Sequence, residues 1–301
     1  MPRAVVTGGR GLAGSRVVEH LADAGWEVVC VDLGLPDVDG PPGVSFRAGD
    51  LTEQGVAWEL IADADPDAVV HFAAIPTDGN HAGSHVYDTN VASAYNVLDA
   101  AGRVGARVVW SSSVTAYGLF HADADLPDAL PVDEATPLRP RRPYPASKVT
   151  GEVLAGLVAR RYGVPVASLR LALVIAAGGV RSRRTREGFD LETASPGSGF
   201  GTYVDARDVA SLVELALTGD LEGHEAFVAA AAENCLDVPT AEAVRAAYGR
   251  LPESCSLEGH DAFYSAAKAR EVLGWEPTHD WRDVEAESLR TPAFADSHRT
   301  G

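Results

Sequence analysis

The chain has 301 residues, of which 43 are acidic and 25 are Lys or Arg, so its formal net charge is −18. A surface of that sign repels phosphate backbones, which argues against nucleic acid as a partner. No apolar run approaches the roughly 18 residues of a membrane span. The cysteines, Cys30, Cys235 and Cys255, show neither metal-binding nor paired spacing. We therefore expect a cytoplasmic protein with no metal site and no membrane contact.

Short apolar runs alternate with amphipathic stretches through the first half of the chain. The predicted strands are 3–6, 27–32, 44–47, 68–72, 106–111 and 164–174. The predicted helices are 12–24, 52–62 (capped by Thr52), 87–102 and 145–162. Because this alternation favours parallel pairing with right-handed crossovers, the sequence predicts an α/β fold, a doubly wound parallel sheet of the Rossmann type.

The second half of the chain is less regular. A stretch at 119–142, rich in Pro, Asp and Ala, is too long for a simple connector, and loops of that length are usually functional or mobile. Further helices are predicted at 205–217, 240–248 and 266–273, with a strand at 226–230. We expect the fold to end in a small lobe followed by a disordered tail.

Three glycines, Gly8, Gly11 and Gly14, connect the first predicted strand to the first helix. Glycine lets the backbone approach a pyrophosphate closely, and the start of a helix attracts anions. Asp32 ends the next strand, where a carboxylate accepts hydrogen bonds from ribose hydroxyls and repels the extra phosphate of NADP. The glycines alone are also compatible with a plain tight turn, but their surroundings favour NAD binding.

Tyr144 and Lys148 lie four residues apart at the start of a predicted helix, so both side chains can face one cleft. A nearby cation lowers the pKa of a tyrosine toward that of a usable base. Such a pair alone is more often a surface feature, although the chain has only two lysines. Ser111–Ser113 end the fifth strand, at the sheet edge where α/β proteins bind ligands. A serine hydroxyl there can bind a substrate oxygen while Tyr144 exchanges its proton.

Together these features resemble an extended short-chain dehydrogenase/reductase of the NAD-dependent epimerase/dehydratase family, over about residues 3–282. Further residues that carry the resemblance are Asp50-Leu51, His71-Phe72-Ala73-Ala74, Asn90-Val91, Asn96-Val97-Leu98, Tyr117-Gly118, Pro137 to Pro140, Leu169-Arg170, Tyr203, Asp208-Val209-Ala210 and Leu273-Gly274-Trp275 with Pro277. The resemblance implies that Ser113 is the catalytic hydroxyl and Tyr144 the acid/base. Lys148 would bind the ribose of NAD and lower the pKa of the tyrosine.

The predicted cofactor is NAD. The residues expected to bind it are Gly8, Gly11, Leu12, Gly14, Asp32, Asp50, Leu51, Ala73, Ala74, Asn90 and Lys148. For Asp50, capping of the next helix is nearly as good an interpretation. Residues 1–175 would form the NAD-binding domain, to which 203–232 return, and 176–202 with 233–290 would form the substrate-binding lobe. Residues 291–301 are predicted to be a flexible tail, and the resemblance implies a homodimer through the helices near 87–102 and 145–162.

The expected reaction is Tyr-assisted hydride transfer at a secondary alcohol of a sugar or sugar-acid-like substrate. Release of the ketone would make the enzyme a dehydrogenase, whereas reduction on the other face would make it an epimerase. Val114 and Thr115 stand where 4,6-dehydratases carry Asp-Glu, which argues against dehydration. Residues 173–177 lack an asparagine common in nucleotide-sugar enzymes, so a nucleotide-sugar 4-epimerase is the alternative within this class. A non-catalytic NAD-binding regulatory or scaffold protein is the alternative outside it.

Residues predicted to contact substrate lie in two places. Arg181, Arg183 and Arg184 form a cluster with Arg186 where the family builds its substrate pocket, and guanidinium groups suit an anionic carboxylate or phosphate. The alternative is a solvated or mobile lid. Ser112 is the other candidate. His81 and His85 lack a third metal ligand and are interpreted as loop residues.

Overall fold

The computed structural model describes residues 1–79, 81–176, 180–282 and 291–296. The strands are β1 (Arg3–Thr7), β2 (Glu27–Asp32), β3 (Val44–Ala48), β4 (Ala68–His71), β5 (Arg107–Ser113), β6 (Ala129–Leu130), β7 (Val166–Leu171), β8 (Leu173–Ile175), β9 (Tyr203–Asp205), β10 (His224–Ala229) and β11 (Ser254–Cys255). The helices are α1 (Leu12–Asp23), α2 (Gln54–Ala64), α3 (Gly83–Val104), α4 (Pro143–Tyr162), α5 (Val180–Glu187), α6 (Ala206–Thr218), α7 (Thr240–Tyr248) and α8 (Ala267–Leu273).

Seven strands form one parallel sheet in the order β10-β7-β5-β4-β1-β2-β3. This confirms the predicted doubly wound parallel sheet. The chain order reverses between β1 and β4, and such a switch point opens a crevice at the carboxyl ends of the strands. Val5 and Val6 in β1 and Val69 and Val70 in β4 are fully buried, as expected where helices cover both faces of a sheet.

Helices α1 and α6 cover one face of the sheet, and α2, α3 and α4 cover the other. On the first face Val18 and Leu212 belong to one hydrophobic cluster. On the second face Ile61 and Val97 belong to another. Two-sided burial fixes the strands, so the side chains at their carboxyl ends are presented from a rigid platform.

Helix α4 lies unusually close to β5. A Cβ atom at Gly151 would overlap the ring of Trp110. That ring is held in place, since its Nε1 donates to Ser168 Oγ at 2.6 Å and Ser168 Oγ lies 2.7 Å from Nε2 of His224. The missing side chain at Gly151 therefore brings the start of α4 next to the end of β5.

Several predicted boundaries differ from the structure. The third helix is longer than the predicted 87–102 and includes His85. The strand predicted at 164–174 is two strands, because the chain leaves the main sheet after Leu171 and β8 pairs with β9 instead. Helix α2 begins at Gln54, so Thr52 does not cap it as predicted.

Two short parallel strand pairs, β8 with β9 and β6 with β11, lie outside the main sheet, and together with α5 and α7 we call them the smaller lobe. In chain order, α6 and β10 follow β9 and return to the main fold, where β10 is an edge strand of the sheet.

Residues 291–296 lie against the first glycine turn, and Phe294 is only 3% exposed. The predicted flexible tail therefore does not begin at 291. Residues 297–301 lie outside the described ranges. Among the helices described, none has the length and apolar character needed to cross a bilayer.

Candidate active site

A cleft of about 850 Å³ opens at the carboxyl edge of the sheet, over the point where β1 and β4 diverge. The sequence-predicted residues on its walls are Gly8, Gly11, Leu12, Gly14, Asp32, Asp50, Leu51, Ala73, Ala74, Ser112, Ser113, Tyr144, Lys148 and Arg181. The cleft therefore brings together the predicted cofactor residues, the predicted catalytic residues and one arginine of the predicted substrate cluster.

The glycine turn after β1 forms the floor of this cleft. Gly8 has a positive φ of 65°, and a Cβ atom there would come within 2.5 Å of the backbone nitrogen of Ala73. Only glycine fits this position. The bare backbone leads directly into α1, whose free N–H groups suit a pyrophosphate.

The carboxylate of Asp32 closes the next part of the cleft. Its Oδ2 accepts a hydrogen bond from the backbone N–H of Arg10 at 3.1 Å, and its Oδ1 accepts one from Leu33 at 2.8 Å. Asp32 is 6% exposed and faces the cleft. The bare glycine turn and this fixed carboxylate fit the pyrophosphate and ribose of a dinucleotide.

Asp50 lies on the cleft wall and bonds to Thr52, two residues further along the chain. Its Oδ1 accepts hydrogen bonds from the backbone N–H and the hydroxyl of Thr52, at 2.9 and 2.7 Å, and these bonds hold the pKa of Asp50 below its ordinary value. The same residue lies on the cleft wall beside buried Leu51. Asp50 does not cap α2 as the alternative interpretation expected, because the N-cap of that helix is Glu53 and no side chain bonds there. Its contact with the cofactor stays a prediction.

Tyr144 is the second residue of α4. A hydrogen bond links its side chain to Ser113, and burial raises the pKa of Tyr144 to about 12. The Ser113 bond lowers this pKa and the charge of Asp78 raises it further. The phenol is therefore a proton donor at neutral pH.

Lys148 lies one turn further along α4, is 4% exposed, and points back toward β5. Its Nζ donates to the carbonyl oxygen of Ser111 at 2.7 Å and lies 5.6 Å from the centre of the Tyr144 ring. Burial lowers the pKa of Lys148 to about 7. The pKa of Tyr144 is raised in this structure, whereas the resemblance implied a lowered one, because burial is the largest cause of the shift.

Ser113 completes the group at the end of β5. Its Oγ accepts hydrogen bonds from the backbone N–H of Thr115 at 3.2 Å and from the Thr115 hydroxyl at 2.9 Å. Because both of these bonds use the Ser113 oxygen as acceptor, its own hydrogen is available for Tyr144 or for a substrate oxygen. Thr115 also lies on the cleft wall.

Residues 4–230 match the NAD dependent epimerase/dehydratase family. The chain belongs to this family. It is an enzyme of the extended short-chain dehydrogenase/reductase type, as the sequence resemblance predicted, and NAD is its cofactor.

Similar members of the family include curated enzymes that the chain matches along most of its length. The UDP-glucose 4-epimerase of Streptococcus mutans is 30% identical over 321 residues, covering 93% of each chain. That of Streptomyces lividans is 31% identical over 308 residues, covering 91% of each chain. The dTDP-glucose 4,6-dehydratase of Mycobacterium tuberculosis is 33% identical over 177 residues, or 54% of this chain and 50% of that enzyme.

Solved structures show the same fold. The UDP-glucose 4-epimerase of Bifidobacterium longum, in complex with NAD+ and UDP, superposes with a TM-score of 0.72 at 22% identity, over 95% of this chain and 97% of that one. A mutated uronate dehydrogenase superposes with a TM-score of 0.64 at 20% identity, over 96% of this chain and 88% of that one.

Asn90 and Asp78 form hydrogen bonds that connect the loop after β4 to helix α4. Asn90 was predicted to bind the cofactor, but its amide group is occupied: Oδ1 accepts from the backbone N–H of Ile75 at 2.8 Å, and Nδ2 donates to Ile75 O and to Ser147 Oγ. Asn90 therefore ties the loop after β4 to α4. Asp78, on the same loop, accepts the backbone N–H of Tyr144 at 2.9 Å and so caps the catalytic helix from a distance.

A buried ion pair fixes α4 to the sheet. Arg170 Nη2 and Glu152 Oε2 are 2.8 Å apart, and both side chains are less than a tenth exposed. Ser112, predicted to contact substrate, donates its hydroxyl to Glu152 Oε1 at 2.6 Å. This bond uses the hydroxyl hydrogen of Ser112, so the Ser112 oxygen on the cleft wall can contact a substrate only as a hydrogen-bond acceptor. Glu152 follows Lys148 by four residues on the same helix face, a spacing that would have identified it in the sequence.

The arginines of the predicted cluster have different surroundings in the structure. Arg181, at the start of α5, lies on the cleft wall near β8. Arg183 and Arg184 are exposed to solvent on the outer side of α5. Arg186 packs over the ring of Trp281 at 4.4 Å. Of the three arginines predicted to contact substrate, Arg181 is the one that lies on the cleft wall.

Histidines do not form a metal centre among the residues described, where no group of three or more His, Cys, Asp or Glu side chains is arranged for an ion. His81 and His85 have ring centres 5.4 Å apart. His71 is buried with Nδ1 2.7 Å from Thr7 Oγ1. Burial and the charge of Lys148 lower the pKa of His71 to about 3, so this ring is neutral beneath the cleft.

Proposed function

We propose that the protein interconverts an alcohol and a ketone at a secondary carbon of a nucleotide-linked sugar, as an NAD-dependent epimerase. The observation that carries the proposal is the convergence of Ser113, Tyr144 and Lys148 in the cleft that also contains the glycine turn and Asp32. A hydroxyl bound at this point meets both a proton-transfer group and the cofactor site.

Each side chain has one task in the proposed reaction. NAD, when bound, supplies the hydride acceptor. Ser113 donates a hydrogen bond to the substrate oxygen and orients it toward Tyr144. The phenolate of Tyr144 takes the hydroxyl proton, and the phenol returns it in the reverse direction. Lys148 is held by a hydrogen bond to Ser111. When the Lys148 amine is protonated, its positive charge favours the phenolate of Tyr144.

The choice of a nucleotide-linked sugar has two supports. The two full-length relatives named above are UDP-glucose 4-epimerases. Arg181 is a wall residue of the cleft that also contains the catalytic residues, and its guanidinium suits a diphosphate. The asparagine common after Leu-Arg in such enzymes is absent at 173–177, and we propose that Arg181 compensates for part of that loss.

A second candidate is oxidation of a free sugar acid, since the same Arg181 guanidinium suits a carboxylate. The two functions differ in what happens to the ketone. A dehydrogenase releases it and leaves NADH behind, whereas an epimerase reduces it on the other face. The stoichiometry of NADH production therefore separates them.

The test is an incubation of the purified protein and NAD+ with UDP-galactose, UDP-glucose, glucuronate or galacturonate. We expect interconversion of the two nucleotide sugars by chromatography, with no net rise of the NADH absorbance band. One NADH per substrate consumed from a sugar acid would establish the second candidate. NAD binding with no turnover of any of the four would refute both.

We also propose that the enzyme is a homodimer through α3 and α4. Val153 and Leu157, four residues apart on α4, are 66% and 42% exposed, which is unusual for apolar side chains on one helix face. Light scattering after size-exclusion chromatography should give twice the chain mass. Leu157→Glu should give the monomer, and a monomeric wild-type protein would exclude the dimer.

A further inference from the structure

The last described segment of the chain, residues 291–296, lies against the glycine turn rather than in solvent. Phe294 is 3% exposed and its ring centre is 5.5 Å from that of Phe46 on β3. The backbone N–H of Asp296 donates to the carbonyl oxygen of Arg10 at 2.8 Å. This segment, which we call the C-terminal strap, thus packs at the β2–β3 side of the cleft.

Arg10 is the residue through which the strap reaches the turn. Its Nε donates to the carbonyl oxygen of Phe294 at 3.1 Å, and its Nη1 donates to that of Gly34 at 3.1 Å. Its own backbone N–H donates to Asp32 at 3.1 Å. One residue therefore bonds to the strap, to the loop after β2 and to the proposed ribose-binding carboxylate.

This arrangement matters because Arg10 sits inside the glycine turn, between Gly8 and Gly11. A turn rich in glycine loses much conformational freedom when it is ordered around a ligand. A contact that orders the turn beforehand reduces that loss at the moment of binding and so increases affinity. The strap supplies such a contact from 284 residues away along the chain.

We propose that Arg10 and Phe294 are cofactor-positioning residues, and that the C-terminal strap holds the glycine turn and Asp32 in the geometry that binds the ADP-ribose half of NAD. The proposal rests on NAD binding in the cleft but not on the identity of the substrate. Its effect is on the affinity for NAD and not on proton transfer at Tyr144, which lies at the other end of the cleft.

The experiment compares two truncations by calorimetric titration with NAD+ and with ADP-ribose, after removal of bound nucleotide. A chain ending at residue 290 lacks the strap, whereas a chain ending at residue 296 keeps it and loses only 297–301. We expect the Kd for both ligands to rise about tenfold or more in the first chain, the equivalent of losing one or two good contacts. The second chain should stay within twofold of the full-length protein.

Two point variants keep the test decisive if the shorter chain does not fold. Arg10→Lys preserves the charge but not the paired bonds to Phe294 and Gly34, and Phe294→Ala removes the packing on Phe46. Both should weaken NAD+ and ADP-ribose equally, with kcat at saturating NAD+ unchanged. A wild-type Kd in both variants would overturn the proposal, and so would a fall in kcat with the Kd unchanged. Failure of the full-length protein to bind NAD+ would instead refute the cofactor site itself.

Discussion

The cleft has two walls that differ in how their polar side chains are held. On the sheet wall, formed by β5 and α4, Lys148 donates to Ser111 and Ser112 donates to Glu152, all at buried positions. On the lobe wall, formed by β8 and α5, Arg181 is half-buried. Proton transfer demands fixed geometry, which buried bonds supply. The substrate contact proposed for the lobe wall depends instead on Arg181, which is half-buried and can be exchanged without disturbing the core.

The strongest test of the sheet wall removes its reacting oxygen. Tyr144→Phe should lower kcat by about 10³-fold, within the range for loss of a general acid–base, and leave the Kd for NAD+ unchanged. Steady-state kinetics and calorimetry measure the two quantities. Tyr248→Phe, which changes a tyrosine in the second lobe, is the matched control. Full activity of Tyr144→Phe would contradict the assignment and favour a non-catalytic NAD-binding protein.

The buried ion pair should be the main source of rigidity on that wall. Glu152→Ala leaves the Arg170 guanidinium buried without its partner and should cost about 3–5 kcal/mol in the free energy of unfolding. Urea denaturation measures this cost. The control is Glu271→Ala, an exposed glutamate on α8, expected to change stability by about 0.5 kcal/mol or less. Equal effects of the two substitutions would show that the pair does not stabilise the fold.

The lobe wall should respond in substrate affinity alone. Arg181→Ala should raise KM for an anionic substrate about tenfold, the loss of one charge-assisted contact, with kcat and thermal stability nearly unchanged. Arg183→Ala and Arg184→Ala should leave KM within twofold because both side chains point to solvent. If all three variants behave alike, the division of the cluster seen in the structure has no role in binding.

The smallest expected effect concerns the electrostatic link between the loop after β4 and the sheet wall. Asp78→Asn keeps an acceptor for the Tyr144 backbone N–H but removes the charge that raises the pKa of Tyr144. The pKa of the phenol should therefore fall, and the rising limb of the pH profile for oxidation should move to lower pH. Asp78→Ala should show the same shift and lose about 1 kcal/mol of stability as well, because it also removes the cap. An upward shift of the limb would contradict this electrostatic assignment.

Much of this architecture follows from local patterns in the sequence. The alternation of strands and helices predicted the sheet, and Gly8, Asp32, Ser113 and Tyr144 all lie in the cleft as their positions at strand ends and helix starts required. Such residues were identifiable because a short motif determines both their conformation and their place at the sheet edge.

What the sequence missed depends on contacts between distant segments. The link from Asp78 to Tyr144 spans 66 residues, and no local pattern indicates it. The bracing role of Asn90 and the bond that occupies Ser112 depend on where α4 packs. The net direction of the Tyr144 pKa shift also differs from the expected one, since spacing reveals the neighbouring lysine but not the burial, which is the largest cause of the shift.

The close contact between Gly151 and Trp110 keeps Tyr144 and Lys148 of α4 near Ser113 at the end of β5. The indole cannot retreat, because its nitrogen is anchored through Ser168 to His224 on the edge strand. Any side chain at 151 must therefore push the helix outward, and the phenol and ammonium would move with it, away from the serine. The distance between Tyr144 and a bound substrate therefore depends on the absence of a side chain at Gly151, although Gly151 contacts neither of them. A larger residue at position 151 would slow the reaction while leaving every reacting group in place.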